Sequence, residues 1–358
     1  MTNRLMNMTT DNYAYRLSEA ISWLRFPLIV FIICLHSMTT VVMPGEYALY
    51  FRALYPVSQW LGESAVPAFF FISGYLFFIS KKNYLQKLNT RVHTLLIPYL
   101  LWNLIMLALY VLAYLSGHPQ EIYDRSIADY SIADYLRLFW DRGHFDMGNF
   151  MPVLCPLWYI RNLLIMSVLS PLLYLIIKKA GIPFLLLALC WWLQTHHNAF
   201  IQLTVMFFSL GAYFSIHQKN PLETIISHKR IVLTLWAVFS LSDIACHIFI
   251  PLPINLQIHR LALLMNIPAL LLLADACCRR GMTNQTLPNT TFIIFCVHYP
   301  LTVFLRKMVV SHFASASDAV HIVLYFACVV VVTLLSLAFC LLLDKFFPSA
   351  KKLLAGNR

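Results

Sequence analysis

The sequence predicts an all-α membrane protein, a bundle of about ten transmembrane helices that forms a single domain over residues 1–358. Composition is the first reason, because 60% of the residues are hydrophobic and 11% are charged, against about 25% charged residues in soluble domains. The second reason is a series of ten apolar runs along the chain. The third is that lysine and arginine concentrate in alternate loops, as they do in multi-pass membrane proteins.

The apolar runs predict where the helices cross the membrane. The N-terminus is polar and the first run is long enough to span a bilayer, so a transmembrane helix is expected there rather than a cleaved signal peptide. The fifth run is short, and Trp191 and Trp192 near its end are typical of a membrane interface. The predicted spans are 21–43, 64–80, 95–116, 157–178, 182–195, 198–217, 230–250, 258–276, 290–311 and 320–343.

Loop charges predict the orientation of the bundle. With residues 1–20 in the cytoplasm, the outer loops hold only Arg52, Arg125, Arg137 and Arg142. An even number of spans then places both termini in the cytoplasm. This topology accounts for the net charge of +11, so lipids are expected as partners and nucleic acid is not. The inner segments hold Arg4, Arg16, Lys81, Lys82, Lys87, Arg91, Lys178, Lys179, Lys219, Lys229, Arg230, Arg279, Arg280, Lys345, Lys351, Lys352 and Arg358.

The one long outer loop, residues 117–156, holds six of the fifteen acidic residues. It contains a tandem SIADY repeat at 126–130 and 131–135, followed by apolar residues through Trp140. This pattern predicts a short interfacial amphipathic helix or a lid. A passive loop is the alternative. The nine cysteines show no metal-ligand spacing, so no metal site is predicted.

The first predicted span carries two ionisable residues, Arg25 and His36. An arginine at the centre of a bilayer costs about 2.5–3.5 kcal/mol, so such residues indicate a functional site. Eleven residues are three helical turns, which places both side chains on one side of the helix and about 16 Å apart. The helix therefore presents a cation near the predicted inner end and a titratable base near the outer end.

The spacing Arg25-x10-His36 resembles the signature of the bacterial acyltransferase-3 family of integral-membrane sugar O-acyltransferases. Four further stretches are similar to motifs of this family, and together they cover nearly the whole chain. They are VPAFFFISGYLFF at 66–78, RVHTLLIPYLLWN at 91–103, PLWYIRN at 156–162 and CVHYP at 296–300.

The resemblance implies an enzyme of a bacterial inner membrane. Its donor would be cytoplasmic acyl-CoA, usually acetyl-CoA, and its acceptor a hydroxyl of a carbohydrate or glycolipid on the outer side. His36 suits the role of general base because histidine titrates near neutral pH. Direct transfer and an acyl-histidine intermediate both stay open, as do acetyl against succinyl, the identity of the acceptor and the oligomeric state.

Four residues are predicted to bind the donor. Guanidinium groups bind phosphate strongly, so Arg25 and Arg91 are expected at the CoA phosphates, with Lys87 beside them. Snorkelling of Arg25 to headgroups, and the ordinary inner bias of cations, are the alternatives. Ser73, next to Gly74, would line a slot for the pantetheine arm or serve helix packing.

The acceptor side is predicted to involve Trp158, Arg161, His298 and Arg306. Outer-side arginines would suit an anionic acceptor or a lipid-linked phosphate, or they would pair with Glu63 or the acidic loop. His298 precedes a helix-kinking proline and would position the acyl group or the helix of His36.

A carboxylate that orients His36 is expected by analogy with catalytic triads. By depth in the membrane the candidates are Glu63, Asp243 and Asp275, and Glu63 is the prediction. Helix capping is the alternative explanation of Glu63.

A transporter or flippase for polysaccharide or glycolipid is the competing hypothesis, because transport pathways also place charges within the membrane. Against it, the two halves of the sequence show no inverted repeat and no paired broken helices. A structural or sensory membrane protein would leave the intramembrane charges unexplained.

Overall fold

The computed structural model describes residues 2–39, 49–118, 121–122, 125–142, 150–195, 200–249, 255–283 and 286–357. Helices dominate these residues, and the strands among them are two of two residues each, β1 (Glu121–Ile122) and β2 (Arg125–Ser126), which pair antiparallel. The predicted all-α class is confirmed.

The helices follow in chain order: α1 Thr2–Ser37, α2 Tyr55–Ile79, α3 Tyr84–Arg91, α4 Ile97–Leu115, α5 Ile132–Arg137, α6 Trp158–Val168, α7 Ser170–Gln194, α8 Phe200–Ile216, α9 Pro221–Ser227, α10 Lys229–Phe249, α11 Asn255–Arg279, α12 Thr291–Phe313, α13 Asp318–Phe346 and α14 Pro348–Leu354. A π-helical segment, Tyr50–Leu54, leads into α2, and a second, Val92–Leu96, joins α3 to α4.

Within the described residues, seven helices are long and apolar enough to cross a membrane, and α8 with α9, bent by 92°, makes an eighth if the pair is one span. The protein is therefore a multi-pass membrane protein. Helix covers most of each predicted span, but the fourth is divided at Leu169 between α6 and α7, and residues 40–43 of the first and 250 of the seventh lie outside the described residues. The count of ten stays a prediction. The seven cover Asn12–Ser37, Tyr50–Ile79, Tyr84–Leu115, Ser170–Gln194, Leu256–Arg279, Thr291–Phe313 and Asp318–Phe346.

Two further boundaries differ from the prediction. The first helix begins at Thr2 and so includes residues 2–20, which were expected to precede the membrane. The boundary between the predicted fourth and fifth spans is a kink at Ala180, where the backbone leaves helical geometry (φ −138°, ψ 42°) inside α7.

We call the end of the bundle near Tyr84 the inner end and the end near Trp158 the outer end, following the predicted orientation.

Helix α2 lies at the centre of the bundle, where it packs most extensively against α8 and also against α1 and α11. Glycines permit the close approach of α2 and α8. A Cβ atom at Gly74 would overlap the carbonyl oxygen of Phe208, and one at Gly211 would overlap that of Phe71. Gly74 thus serves helix packing, one of the two roles that the sequence suggested, since only a residue without a side chain lets these backbones touch.

The outer loop folds onto α4 through a small cluster of Ile122, Ile127, Leu138 and Val153. Each SIADY repeat begins with a serine that caps a helical turn. Ser126 caps the 3₁₀ turn at Ile127–Asp129, and Ser131 forms a capping box with Asp134 at the start of α5. Hydrogen bonds from Ser131, and then from Arg125, lower the pKa of Asp134 to about 2. The predicted short helix is confirmed as α5.

The C-terminal segment closes the inner end against the second π-helical segment. Gly356, in a left-handed conformation (φ +72°), lies against the backbone of Thr94, and Trp102 Nε1 donates to the Leu354 carbonyl at 3.1 Å. These contacts hold the π-helical segment that follows Arg91 in place.

Gly74→Ala is expected to destabilise the protein by about 1–3 kcal/mol, because the added methyl must push α2 and α8 apart. Thermal unfolding of the detergent-purified protein measures this. Ile79→Ala, at an exposed position of the same helix, is the matched control. Equal unfolding midpoints for the two variants would contradict the packing analysis.

Candidate active site

A cavity of about 450 Å³ opens between α1, α2, α6, α12 and the second π-helical segment. This volume lies within the range of about 300–1,000 Å³ that is typical of small-ligand sites. Arg25, Ile29 and Ile32 line it from α1, and His36 is the next residue of the same helical stripe. The other lining residues are Val66, Phe69, Ile72, Ser73, Leu76, Thr90, Arg91, Thr94, Leu95, Tyr159, Ile160, Leu163, Pro288, Asn289, Thr291, Phe292 and Phe295.

Two guanidinium groups reach this cavity, those of Arg25 and Arg91. Across the described ranges, no carboxylate lies within ion-pair distance of either one. Arg91 lies over the ring of Phe77, 5.4 Å from its centroid. By contrast Arg16, on the same helix as Arg25, is held by both oxygens of Asp275 at 2.9 and 2.8 Å. Two partly buried cations beside a cavity favour an anionic ligand.

The wall of the cavity carries a polar pair, in which the hydroxyls of Ser73 and Tyr159 lie 3.1 Å apart. The predicted donor residues Arg25, Ser73 and Arg91 are therefore brought together in one cavity. Tyr159 was missed, although the motif at 156–162 contains it. The polar side chains of Thr90 and Asn289 were also missed, because a threonine or an asparagine at a helix end carries no distinctive sequence signal.

Lys87, the fourth predicted donor residue, does not line the cavity. Its ammonium group lies over the rings of Phe77 and Phe78, 5.0 and 5.8 Å from their centroids. It lies one helical turn before Arg91 on the same face of α3, and both cations lie over the ring of Phe77.

At the outer end of the stripe, three aromatic side chains meet. The ring of His36 lies 5.5 Å from that of His298 and 5.3 Å, edge to face, from that of Tyr299. Arg306 Nη1 donates to the His36 carbonyl at 3.3 Å and so binds the C-terminal end of α1. The Tyr299 hydroxyl lies near Cys155 and near Arg142 of the outer loop. His36 thus lies where the cavity approaches the outer loop.

The prediction that Glu63 orients His36 is wrong in this geometry. Glu63 Oε2 lies 3.2 Å from His259 Nε2, and Asp243 Oδ2 lies 2.8 Å from Nδ1 of the same ring. The preceding residue, Gly62, packs against Phe31 and Leu35 of α1. One further residue turns the side chain by about 100°, toward α10 and α11 and away from His36.

Trp158 and Arg161 are buried at the outer end rather than exposed to an acceptor. Trp158 stacks on Phe200 with centroids 3.9 Å apart. Arg161, 5% exposed, donates to the Trp140 carbonyl at 2.6 Å and to Asn162 Oδ1 at 3.1 Å. The alternative of pairing with the outer loop therefore describes Arg161 best, with a backbone carbonyl as its partner.

Within the described ranges, no group of three or more His, Cys, Asp or Glu side chains is arranged to hold a metal ion. The polar groups that converge on the cavity are guanidinium, hydroxyl and amide groups. Such groups suit phosphate and carbonyl oxygens.

The chain belongs to the acyltransferase-3 family. The family model, described as an acyltransferase domain, matches residues 18–344. A bundle of apolar helices and a family match over nearly the whole chain define a multi-pass membrane acyltransferase.

The chain is also similar to the succinoglycan biosynthesis protein ExoH of Rhizobium meliloti (strain 1021). The two are 27% identical over 195 residues, and the match covers 48% of each chain. The similarity thus spans about half the length of that relative. No solved structure gives a significant match.

Arg161→Gln is expected to loosen the outer loop, since it removes the donor that holds the Trp140 carbonyl. Amide hydrogen exchange over residues 132–142 should rise at least severalfold. Arg52→Gln, which removes the same charge from an exposed side chain outside this loop, is the matched control. Unchanged exchange in Arg161→Gln would show that this contact does not anchor the loop.

Proposed function

We propose that the protein is an O-acyltransferase of a bacterial inner membrane. It moves an acyl group, acetyl in the first instance, from cytoplasmic acyl-CoA to a hydroxyl of a cell-surface or exported carbohydrate. The family supports the reaction class. The printed function of the relative, succinoglycan biosynthesis, supports a polysaccharide as acceptor.

One observation carries the proposal: Arg25, Ile29, Ile32 and His36 form one stripe along a cavity, with cations at its inner end and a base beyond its outer end. Guanidinium groups at the inner end suit the phosphates of CoA. The distance of about 16 Å from Arg25 to His36 matches the reach that an extended pantetheine arm must cover. Ser73 and Tyr159 would bind the amides of that arm along the wall.

The chemistry follows from this placement. His36 takes the proton of the acceptor hydroxyl as its oxygen attacks the thioester carbonyl. The carbon–sulfur bond breaks, the new ester forms, and the proton passes from the imidazolium to the departing CoA thiolate. Products are the O-acylated carbohydrate and free CoA, with no net change in protons at the site.

Arg25→Ala and Arg91→Ala are each expected to weaken CoA binding about ten- to hundredfold, since a hydrogen bond to a charged group is worth about 1.5–3 kcal/mol. Calorimetric titration of CoA into the purified protein measures this. Lys178→Ala, a basic residue near the inner end and outside the cavity, should bind CoA as the wild type does. Wild-type affinity in both arginine variants would exclude the phosphate role.

His36→Ala is expected to lower the rate of transfer at least a hundredfold, because general base catalysis contributes about 10²–10⁴. Its CoA affinity should stay within twofold of wild type. His312→Ala, at an exposed position of α12, is the control for loss of an imidazole. Full transfer activity in His36→Ala would remove this residue as the base.

The acceptor is identified by mass spectrometry of surface and exported glycans from cells with and without the gene. Loss of an acyl group from one glycan supports the transferase and names acyl group and acceptor together. Loss of the whole glycan from the surface, with its acylation unchanged in the cell, would favour the transporter hypothesis instead.

A further inference from the structure

His298 is a fully buried imidazole that the proposed reaction has not yet used. Its Nδ1 lies 2.7 Å from the Phe295 carbonyl oxygen and 3.2 Å from that of Ile294. A carbonyl oxygen only accepts hydrogen bonds, so Nδ1 carries a proton. In the neutral ring the other nitrogen, Nε2, then presents a lone pair.

That lone pair is unused inside the protein. Among the described residues, Nε2 of His298 has no hydrogen-bond partner, although the atom is buried. Buried polar atoms are nearly always satisfied, so an exception points to a partner that joins during function. The nearest ring with an exchangeable proton is that of His36, at a centroid separation of 5.5 Å and an interplanar angle of 32°.

The separation suits a hydrogen bond between the two rings. Two imidazole nitrogens directed at each other across this distance come to about 3 Å, which is within hydrogen-bonding range. The ring of His298 is fixed by its bond to Phe295, so the alignment depends on the orientation of the His36 ring. The ring of Tyr299 packs edge to face against the ring of His36 and so restricts its orientation.

The other candidates for this role are engaged elsewhere. Glu63 and Asp243 both bind His259. Asp275 binds Arg16 near the inner end. The orienting group that a histidine base requires is therefore not one of the three carboxylates at membrane depth.

We propose that His298 is the positioning residue of His36. Its Nε2 accepts a hydrogen bond from one ring nitrogen of His36, which holds the lone pair of the other nitrogen toward the acceptor hydroxyl. When His36 becomes an imidazolium, the same bond stabilises it. The inference rests on the proposed role of His36 as the base, and it assigns the part that a carboxylate plays in catalytic triads to a neutral histidine.

Two substitutions at position 298 test this. His298→Asn keeps an amide nitrogen near Nδ1 for the Phe295 carbonyl but places no atom near Nε2. His298→Gln extends an amide oxygen toward the position of Nε2. We expect kcat to fall about a hundredfold in His298→Asn, the typical cost of a misplaced reacting group. His298→Gln should recover at least tenfold of that loss. KM for acetyl-CoA and CoA affinity should stay within twofold of wild type in both.

A purely structural role for His298 gives a different pattern. Equal losses of kcat in the Asn and Gln variants, together with a lowered unfolding midpoint, would overturn the proposal. Wild-type kcat in His298→Asn would overturn it as well. Assaying His36→Ala in parallel distinguishes failure of the base role from failure of the positioning role. Transfer activity retained in His36→Ala would contradict the role of His36 as the base. Activity lost in His36→Ala but retained in His298→Asn would contradict only the positioning role of His298.

Discussion

A charged side chain at membrane depth needs a partner, and this requirement organises the interior of the protein. Arg16 and Asp275 join α1 to α11, and His259 with Glu63 and Asp243 joins α2, α10 and α11. These links tie α1 and α2, which line the cavity, to α10 and α11, which do not. The cavity itself receives guanidinium groups for which the described part of the chain supplies no carboxylate. The pattern separates charges that hold the bundle together from charges that are available to a ligand.

Close backbone contact supplies the second constraint. Gly62 lets α2 pack closely against α1, and Gly74 and Gly211 let α2 pack closely against α8. Helices of a membrane protein gain little from burying apolar surface in lipid, so tight packing of small residues has to provide much of their association. Because α2 is held on both sides, the position of Ser73 relative to α1 is fixed within narrow limits. Packing and site are thus coupled in one dipeptide, in which Gly74 faces α8 and Ser73 faces the cavity.

The sequence predicted the fold class and the helical location of most spans, because apolar runs and short motifs report on local structure. Three of the four residues predicted to bind the donor line one cavity. The sequence failed where the answer depends on rotation about a helix axis. Glu63 sits at a suitable depth, yet its side chain faces His259 and not His36. Trp158 and Tyr159 are adjacent in one motif, but the first is buried against Phe200 and the second lines the cavity. The depth of a residue in the membrane follows from counting along the helix. The direction of its side chain around the helix axis is set by packing, which one sequence does not reveal.

The choice of a neutral partner for His36 has a physical consequence. A carboxylate in that position would place a permanent negative charge across the imidazole ring from the oxygen that attacks the thioester, where the dielectric constant is low. A neutral imidazole orients the base without that charge. A neutral histidine partner therefore orients the base without adding a repulsive charge to the oxyanion that develops in the reaction.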